Sequence, residues 1–316
     1  MNAAVVNVLG QPPQFQEFMD PSATGGEVLV RVKAAGLHPI VRALASGSHY
    51  SSSAQVPMIA GIDGVGIRAD GKRVYFGGAR RPWGTMAELC AAPTAMCIPM
   101  PDGIEDSVAA AIANPGMSAW LSLKERGQLS AGETVLIMGA TGVAGHLAIQ
   151  SARQLGAKRI IAAGRNVNAL AGEDVDAVIA LSEPEDTIRE SLAAQAAEGI
   201  DVVVDYLWGR PTELVLEALT KGFKTTATRT TRLVEVGESA GKSITLQGAA
   251  LRSIDLRILG SGFGSVPLDG ILAAIPQLFE MAATGKLRVD VESVPLSEVE
   301  SAWTRGEKAR RIVFVP

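Results

Sequence analysis

The sequence predicts an α/β protein in two parts, a β-rich first third followed by a doubly wound parallel sheet, and three observations carry that prediction. Short β-prone segments separated by Gly, Pro and Ser clusters fill the first third. Beyond residue 134 strands and helices alternate, which requires crossover connections and therefore parallel pairing. Of 316 residues, 47% are hydrophobic and 20% charged, enough apolar material for real cores, and the length favours two domains over one.

The elements follow in order. Strands are expected at 3–9, 27–34, 72–77 and 85–91. A helical Ala-rich run from about 104 to 113 should stop at Asn114-Pro115-Gly116, because proline removes a helical donor, and a second run should cover 119–126. Strand 134–138, helix 143–155, strands 159–163 and 177–181, helix 185–197 and strand 201–205 form the alternating region. The segment 223–248 has no clear period and reads as a loop or an edge strand, with a Thr-rich stretch at 225–231. A strand at 256–259, a helix at 268–283, a strand at 288–292, a short helix at 297–306 and a strand at 311–315 close the chain.

Charge and cysteine use exclude several classes of partner. Twenty-nine basic and 33 acidic side chains leave a formal charge of −4, so no global positive field would hold nucleic acid or an anionic membrane. The two cysteines, Cys90 and Cys97, make no disulfide framework, and the start lacks the pattern of a signal peptide. A soluble protein of a reducing cytoplasm is the expectation.

The most informative motif is Val135-Leu136-Ile137-Met138-Gly139-Ala140-Thr141-Gly142-Val143-Ala144-Gly145, an apolar strand running into glycines three apart and then a helix. Such glycines let the backbone turn tightly and approach a pyrophosphate, while the helix start offers N–H donors. A dinucleotide would thus be held by Gly139, Ala140, Thr141, Gly142, Val143 and Ala144; the alternative is a structural turn without ligand. After the next strand come Gly164-Arg165-Asn166, and the first carboxylate beyond is Glu173. An NAD site places an acid near this point, whereas a guanidinium suits the 2′-phosphate of NADP. Gly164, Arg165 and Asn166 therefore favour NADP(H), unless Arg165 is an ordinary surface charge.

Other chemistries fail on counting. His38, His49, His146, Cys90 and Cys97 supply no clustered zinc set. Tyr50, Tyr75 and Tyr206 are followed four residues later by Ala54, Ala79 and Arg210, not lysine, and no G-x-S-x-G elbow occurs.

The order of parts resembles the medium-chain dehydrogenase/reductase superfamily, in its zinc-independent branch of NADPH quinone oxidoreductases and enone reductases. The residues that carry the resemblance are Ala34-Ala35-Gly36-Leu37-His38-Pro39, Pro57-Met58-Ile59-Ala60-Gly61-Ile62-Asp63-Gly64-Val65-Gly66, Gly84-Thr85-Met86-Ala87-Glu88, Pro115-Gly116-Met117-Ser118-Ala119-Trp120, the glycine loop, Asp201-Val202-Val203-Val204-Asp205 and Gly285-Lys286-Leu287. They span nearly the whole chain. The resemblance implies a GroES-like catalytic domain (1–117), a Rossmann NADP-binding domain (118–264) and a return segment to the first domain (265–316), with the active site in the cleft. The sequence departs from the branch at His38, where relatives usually have Asn, and at Val41, where they have Asp.

The implied reaction is hydride transfer from NADPH to a small-molecule quinone or enone. The resemblance places His38 and Tyr50 at the acceptor as candidate proton donors and Ser118 at the nicotinamide ribose, each with a plain structural alternative, and Gly237 is counted among the cofactor-binding residues. A non-catalytic NADPH-binding sensor or structural module on the same fold is the competing reading. The apolar strand Leu256-Arg257-Ile258-Leu259-Gly260 suggests a homodimer through an uncovered sheet edge, an expectation resting partly on the resemblance.

Overall fold

The computed structural model describes residues 1–221, 229–306 and 310–316. The chain divides into two compact units, Met1–Pro115 with Ile275–Pro316, and Gly116–Ala274.

The first stretch of chain contributes β1 (Asn2–Val6), β2 (Gln14–Glu17), β3 (Glu27–Gly36), α1 (Pro39–Ser46), β4 (Met58–Ile59), β5 (Asp63–Arg68), β6 (Arg73–Gly77), β7 (Leu89–Pro93), β8 (Cys97–Pro99) and α2 (Asp106–Leu121). The helical break expected at Pro115 is absent: α2 runs through it. A mid-helix proline costs about 3 kcal/mol, yet Ala109–Ala113, Met117, Ala119, Trp120 and Leu121 are all buried, and that packing holds the helix together. Burial here overrides a local rule.

The second unit contains β9 (Thr134–Met138), α3 (Val143–Gln154), β10 (Arg159–Gly164), β11 (Ala177–Ala180), α4 (Glu185–Glu198), β12 (Val202–Asp205), α5 (Gly209–Thr220), β13 (Thr230–Glu235), α6 (Ala250–Ser253) and β14 (Asp255–Gly260). Its six-stranded sheet is parallel, with order β11-β10-β9-β12-β13-β14. Numbered within the unit this is 3-2-1-4-5-6, the doubly wound arrangement that places its crevice beyond the carboxyl ends of the first and fourth strands. Val135, Leu136, Ile137 and Met138 have no exposed surface, as expected of a central strand covered on both faces.

One expectation is corrected in this sheet. Residues 230–235, read as loop or edge strand, are an interior strand paired on both sides, with Val202 opposite Arg232 and Thr231 opposite Leu256. Thr230, Thr231 and Arg232 hid its apolar end; the Arg232 guanidinium ion-pairs with Glu133 at 2.6 Å. Residues 225–228 of the Thr-rich stretch lie outside the described residues. Helix α5 had no counterpart in the sequence reading.

The chain closes with α7 (Leu268–Ala283), β15 (Asp290–Pro295), α8 (Val299–Trp303) and β16 (Arg310–Val315). In the first unit β15 and β16 join the sheet β15-β16-β3-β5-β6-β8, and β2-β1-β4 form a separate three-stranded sheet. Leu37, Met58, Met86, Trp303 and Phe314 lie in one core there, so the two ends of the sequence fold as one body. Among the described residues no helix is long and apolar enough to cross a membrane.

Candidate functional site

The site is built on the turn between β9 and α3. Gly139 has φ 84°, a left-handed conformation natural only to glycine. A Cβ there would lie 3.2 Å from both Tyr206 Cβ and Leu207 Cδ2, at the end of the neighbouring β12. Gly145 is needed for close packing instead, since a Cβ would come within 2.5 Å of Ala140 Cα, so helix and turn meet backbone to backbone. Gly142, by contrast, faces open space, with Gly139 O at 3.6 Å as the nearest atom to such a Cβ. It is the N-cap of α3 in extended conformation and gives no side-chain cap. The first helical bond runs from His146 N–H to Gly142 O (2.9 Å), so the N–H groups of Val143, Ala144 and Gly145 precede it. Free donors, a dipole end and a glycine that leaves room fit a pyrophosphate.

Beside this turn β10 ends in Gly164, where a Cβ would meet the Thr141 side chain, with its Oγ1 at 2.9 Å. Arg165 and Asn166 follow, both exposed. Among the described residues Arg165 makes no hydrogen bond or ion pair. Glu173 is already engaged: its Oε1 lies 2.7 Å from His146 Nδ1. The local field at the end of β10 is therefore cationic.

The end of β12 is acidic and tightly bonded. Asp205 is fully buried and accepts from Leu207 N–H (2.9 Å), Trp208 N–H (3.1 Å) and the Thr212 hydroxyl. Burial pushes its carboxyl above the usual aspartate range, although those three donors pull the other way. The same bonds hold Trp208 at φ 56°, ψ −167°, a conformation nearly reserved for glycine. In register with Asp205 on the next strand is Glu235, raised by its own burial and then by the charges of Asp205 and Glu238. Gly237 packs under Tyr206 O, 3.3 Å from a notional Cβ, and its N–H donates to Asp205 O. The Tyr206 hydroxyl is buried beside Ser118 and Ser122, and burial raises it well above an ordinary phenol. Ser118 and Gly237 thus both lie around Tyr206, which the sequence reading did not single out.

The remaining candidates belong to the first unit. Sequence reading expected His38 to face the acceptor, but its imidazole has no exposed surface. His38 Nε2 lies 3.3 Å from Asp63 Oδ1, and Asp63 Oδ2 accepts from the Tyr75 hydroxyl at 2.9 Å. Burial first, then Asp63, raises Tyr75 far above an ordinary phenol. Gly36 makes room for the ring, since a Cβ there would sit 2.5 Å from His38 Nε2. Tyr50 is the opposite case: 81% exposed, with His49 at 4.1 Å between ring centroids. Asp63 and Tyr75 were missed as partners of His38, although Asp63 stands in a motif already quoted. No group of three or more His, Cys, Asp or Glu suited to a metal ion occurs among the described residues.

No protein-family model matches the chain. It is 27% identical to the probable NADPH-dependent quinone reductase tdiC of Emericella nidulans, over the whole of both chains. Among solved structures, AibC superposes with a TM-score of 0.84 at 25% identity, covering all of this chain and 96% of its own. The quinone oxidoreductase of Thermus thermophilus, solved alone and with NADPH, superposes with a TM-score of 0.78 at 26% identity over the full length of both.

Proposed function

We propose that this chain, whose homologues and structural neighbours are NADPH quinone oxidoreductases and alcohol dehydrogenase superfamily proteins, is an NADPH-dependent, zinc-independent oxidoreductase acting on a quinone or another conjugated carbonyl. The observation that carries the reading is the combination at one crevice of an open Gly142, uncapped N–H donors and an Arg165 that has no partner among the described residues. Bound there, NADPH supplies a hydride, and the acceptor gains that hydride and one proton while NADP⁺ is left behind.

The chain's own residues have separable parts in this reading. Val143, Ala144 and Gly145 donate N–H bonds to the pyrophosphate, with Gly139, Ala140 and Thr141 shaping the turn. Arg165, with Asn166 beside it, grips the 2′-phosphate through its planar fork of donors. Ser118, on α2 beside Tyr206, and Gly237, just past β13, are assigned to the cofactor as well. Tyr50 is assigned as proton donor through its hydroxyl, since its exposed phenol is free to face a ligand. His38, wholly buried, is assigned an indirect part, holding Asp63 and through it Tyr75. Two buried free cysteines suit a reducing cytoplasm, and the terminal place of β14 in its sheet suits a homodimer.

Single-turnover NADPH oxidation with one quinone and one enone tests this reading. The wild type should oxidise NADPH with at least one of them in the presence of a chelator. Tyr50→Phe should slow the enone reaction by about 10-fold or more and the quinone reaction less, because a quinone can take its proton from water. No oxidation with any conjugated carbonyl, or loss of the reaction on chelation, would sink the assignment.

A further inference from the structure

We infer that His146 and Glu173 are positioning residues that set the preference for NADPH over NADH without touching the cofactor. The inference rests on the dinucleotide reading above and concerns how the segment bearing Arg165 is held. That segment, residues 165–176, leads from β10 to β11 over the side of α3. Within it only Leu170 is buried, and the backbone is tied by short turns, Ala169 N–H to Asn166 O (3.0 Å) and Glu173 N–H to Leu170 O (3.0 Å). Turns of this kind shape a loop but do not fix it to its neighbour.

Its last residue is tied to β10, Asp176 N–H donating to Ile160 O (2.9 Å) and Ile160 N–H to Asp176 Oδ2 (2.7 Å), and helix α3 holds the rest at two points along one face. At its far end Arg153 pairs with Asp174 (2.9 Å) and Asp176 (2.5 Å), partners that are 77% and 39% exposed. Nearer the glycine turn His146 pairs with Glu173 at 2.7 Å, where the side chains are only 15% and 19% exposed. An ion pair screened by water contributes little, while a short bond shielded from water contributes more. The His146 contact is therefore the better shielded of the two. A carboxylate at neutral pH offers only acceptors, so Nδ1 must carry the proton of this bond. Among the described residues His146 Nε2 is buried without a hydrogen-bond partner.

His146 also links the two elements assigned above to the cofactor's phosphates, one through its backbone and one through its side chain. Its backbone N–H closes the first turn of α3 on Gly142 O, the turn that presents Val143, Ala144 and Gly145. Its side chain holds the segment that carries Arg165. One residue thereby sets the spacing between the pyrophosphate donors and the guanidinium. The pair has a second consequence: Glu173, the first carboxylate after β10, is tied to an imidazole and kept from approaching a bound phosphate. Releasing it would add repulsion to looseness, and both penalties fall on the cofactor with the 2′-phosphate.

Titration calorimetry of NADPH and NADH with the intact protein separates the outcomes. His146→Leu should weaken NADPH by about 10-fold and NADH by less than about threefold, since one shielded, charge-assisted hydrogen bond is lost at a site only NADPH engages. His146→Gln, which can still donate to Glu173, should recover most of the NADPH affinity. Glu173→Gln keeps an oxygen acceptor for Nδ1–H and should cost NADPH less than His146→Leu does. Equal losses for both cofactors, or no rescue by glutamine, would overturn the inference and leave the pair a structural contact. Arg165→Ala, measured alongside, tells the two failures apart. If it abolishes the preference while His146→Leu does not, the positioning role alone falls; if neither variant changes the preference, the NADPH reading falls with it.

Discussion

The carboxyl ends of β10 and β12 lie in one sheet on either side of β9, and they are built on opposite principles. At the end of β10 the charged group, Arg165, is exposed and has no partner among the described residues. At the end of β12 the charged group, Asp205, is fully buried, and three donors and a strained Trp208 backbone depend on it. The contrast teaches that a charge in a crevice is not by itself a binding group. Its bonding state separates a residue waiting for a ligand from one already occupied by the fold.

That contrast can be broken by exchanging effects between the two positions. The largest change is expected from Asp205→Ala, which leaves two backbone N–H groups and a hydroxyl without their acceptor and releases Trp208. Stability should fall by about 3 kcal/mol, and Tm by roughly 6–12 °C in calorimetric scans. Arg165→Ala should leave Tm unchanged within error; equal Tm losses would erase the distinction.

Arg165→Glu comes next. It should lower NADPH affinity by about 10²-fold, with NADH moving by less than about threefold, because a carboxylate would face the 2′-phosphate where a cation stood. Calorimetry decides, and an unchanged NADPH preference would remove Arg165 from the site.

A smaller effect sharpens the acidic side. Glu235 binds its proton more tightly in the folded chain than in the unfolded one, because burial and the nearby Asp205 and Glu238 charges raise its pKa. The stability it contributes is therefore fully present below the unfolded value near 4.5 and is lost as pH rises through the raised folded value. Glu235→Gln removes that loss, so its Tm should exceed the wild type's at pH 7 and the difference should shrink as pH falls to 4. A gain independent of pH would trace to packing instead.

The smallest change within the chain concerns β14, the open edge beyond β13. Light scattering at micromolar concentration should give twice the chain mass, and the monomer mass would argue against edge pairing there.

What could be read from residue order alone follows from how local each signal is. The strand 134–138, the glycine turn and the helix after it were legible because apolar period, φ-permissive glycine and helix start are written within about a dozen neighbouring residues. The parallel character of the second sheet was legible for a related reason, since alternating strands and helices leave few ways to connect. Tertiary structure decided the rest wherever a long-range partner outweighs a local preference. Pro115 stays inside α2 because the surrounding side chains are buried, and 230–235 becomes an interior strand because β12 and β14 flank it on both sides. The sequence named His38, Arg165 and Glu173, but not that His38 is buried against Asp63, nor that Glu173 is held by a histidine 27 positions earlier. Side-chain partners that far apart leave no periodic trace in the chain. Only the fold brings them to 3.3 Å and 2.7 Å, and only there does a side chain become free or occupied.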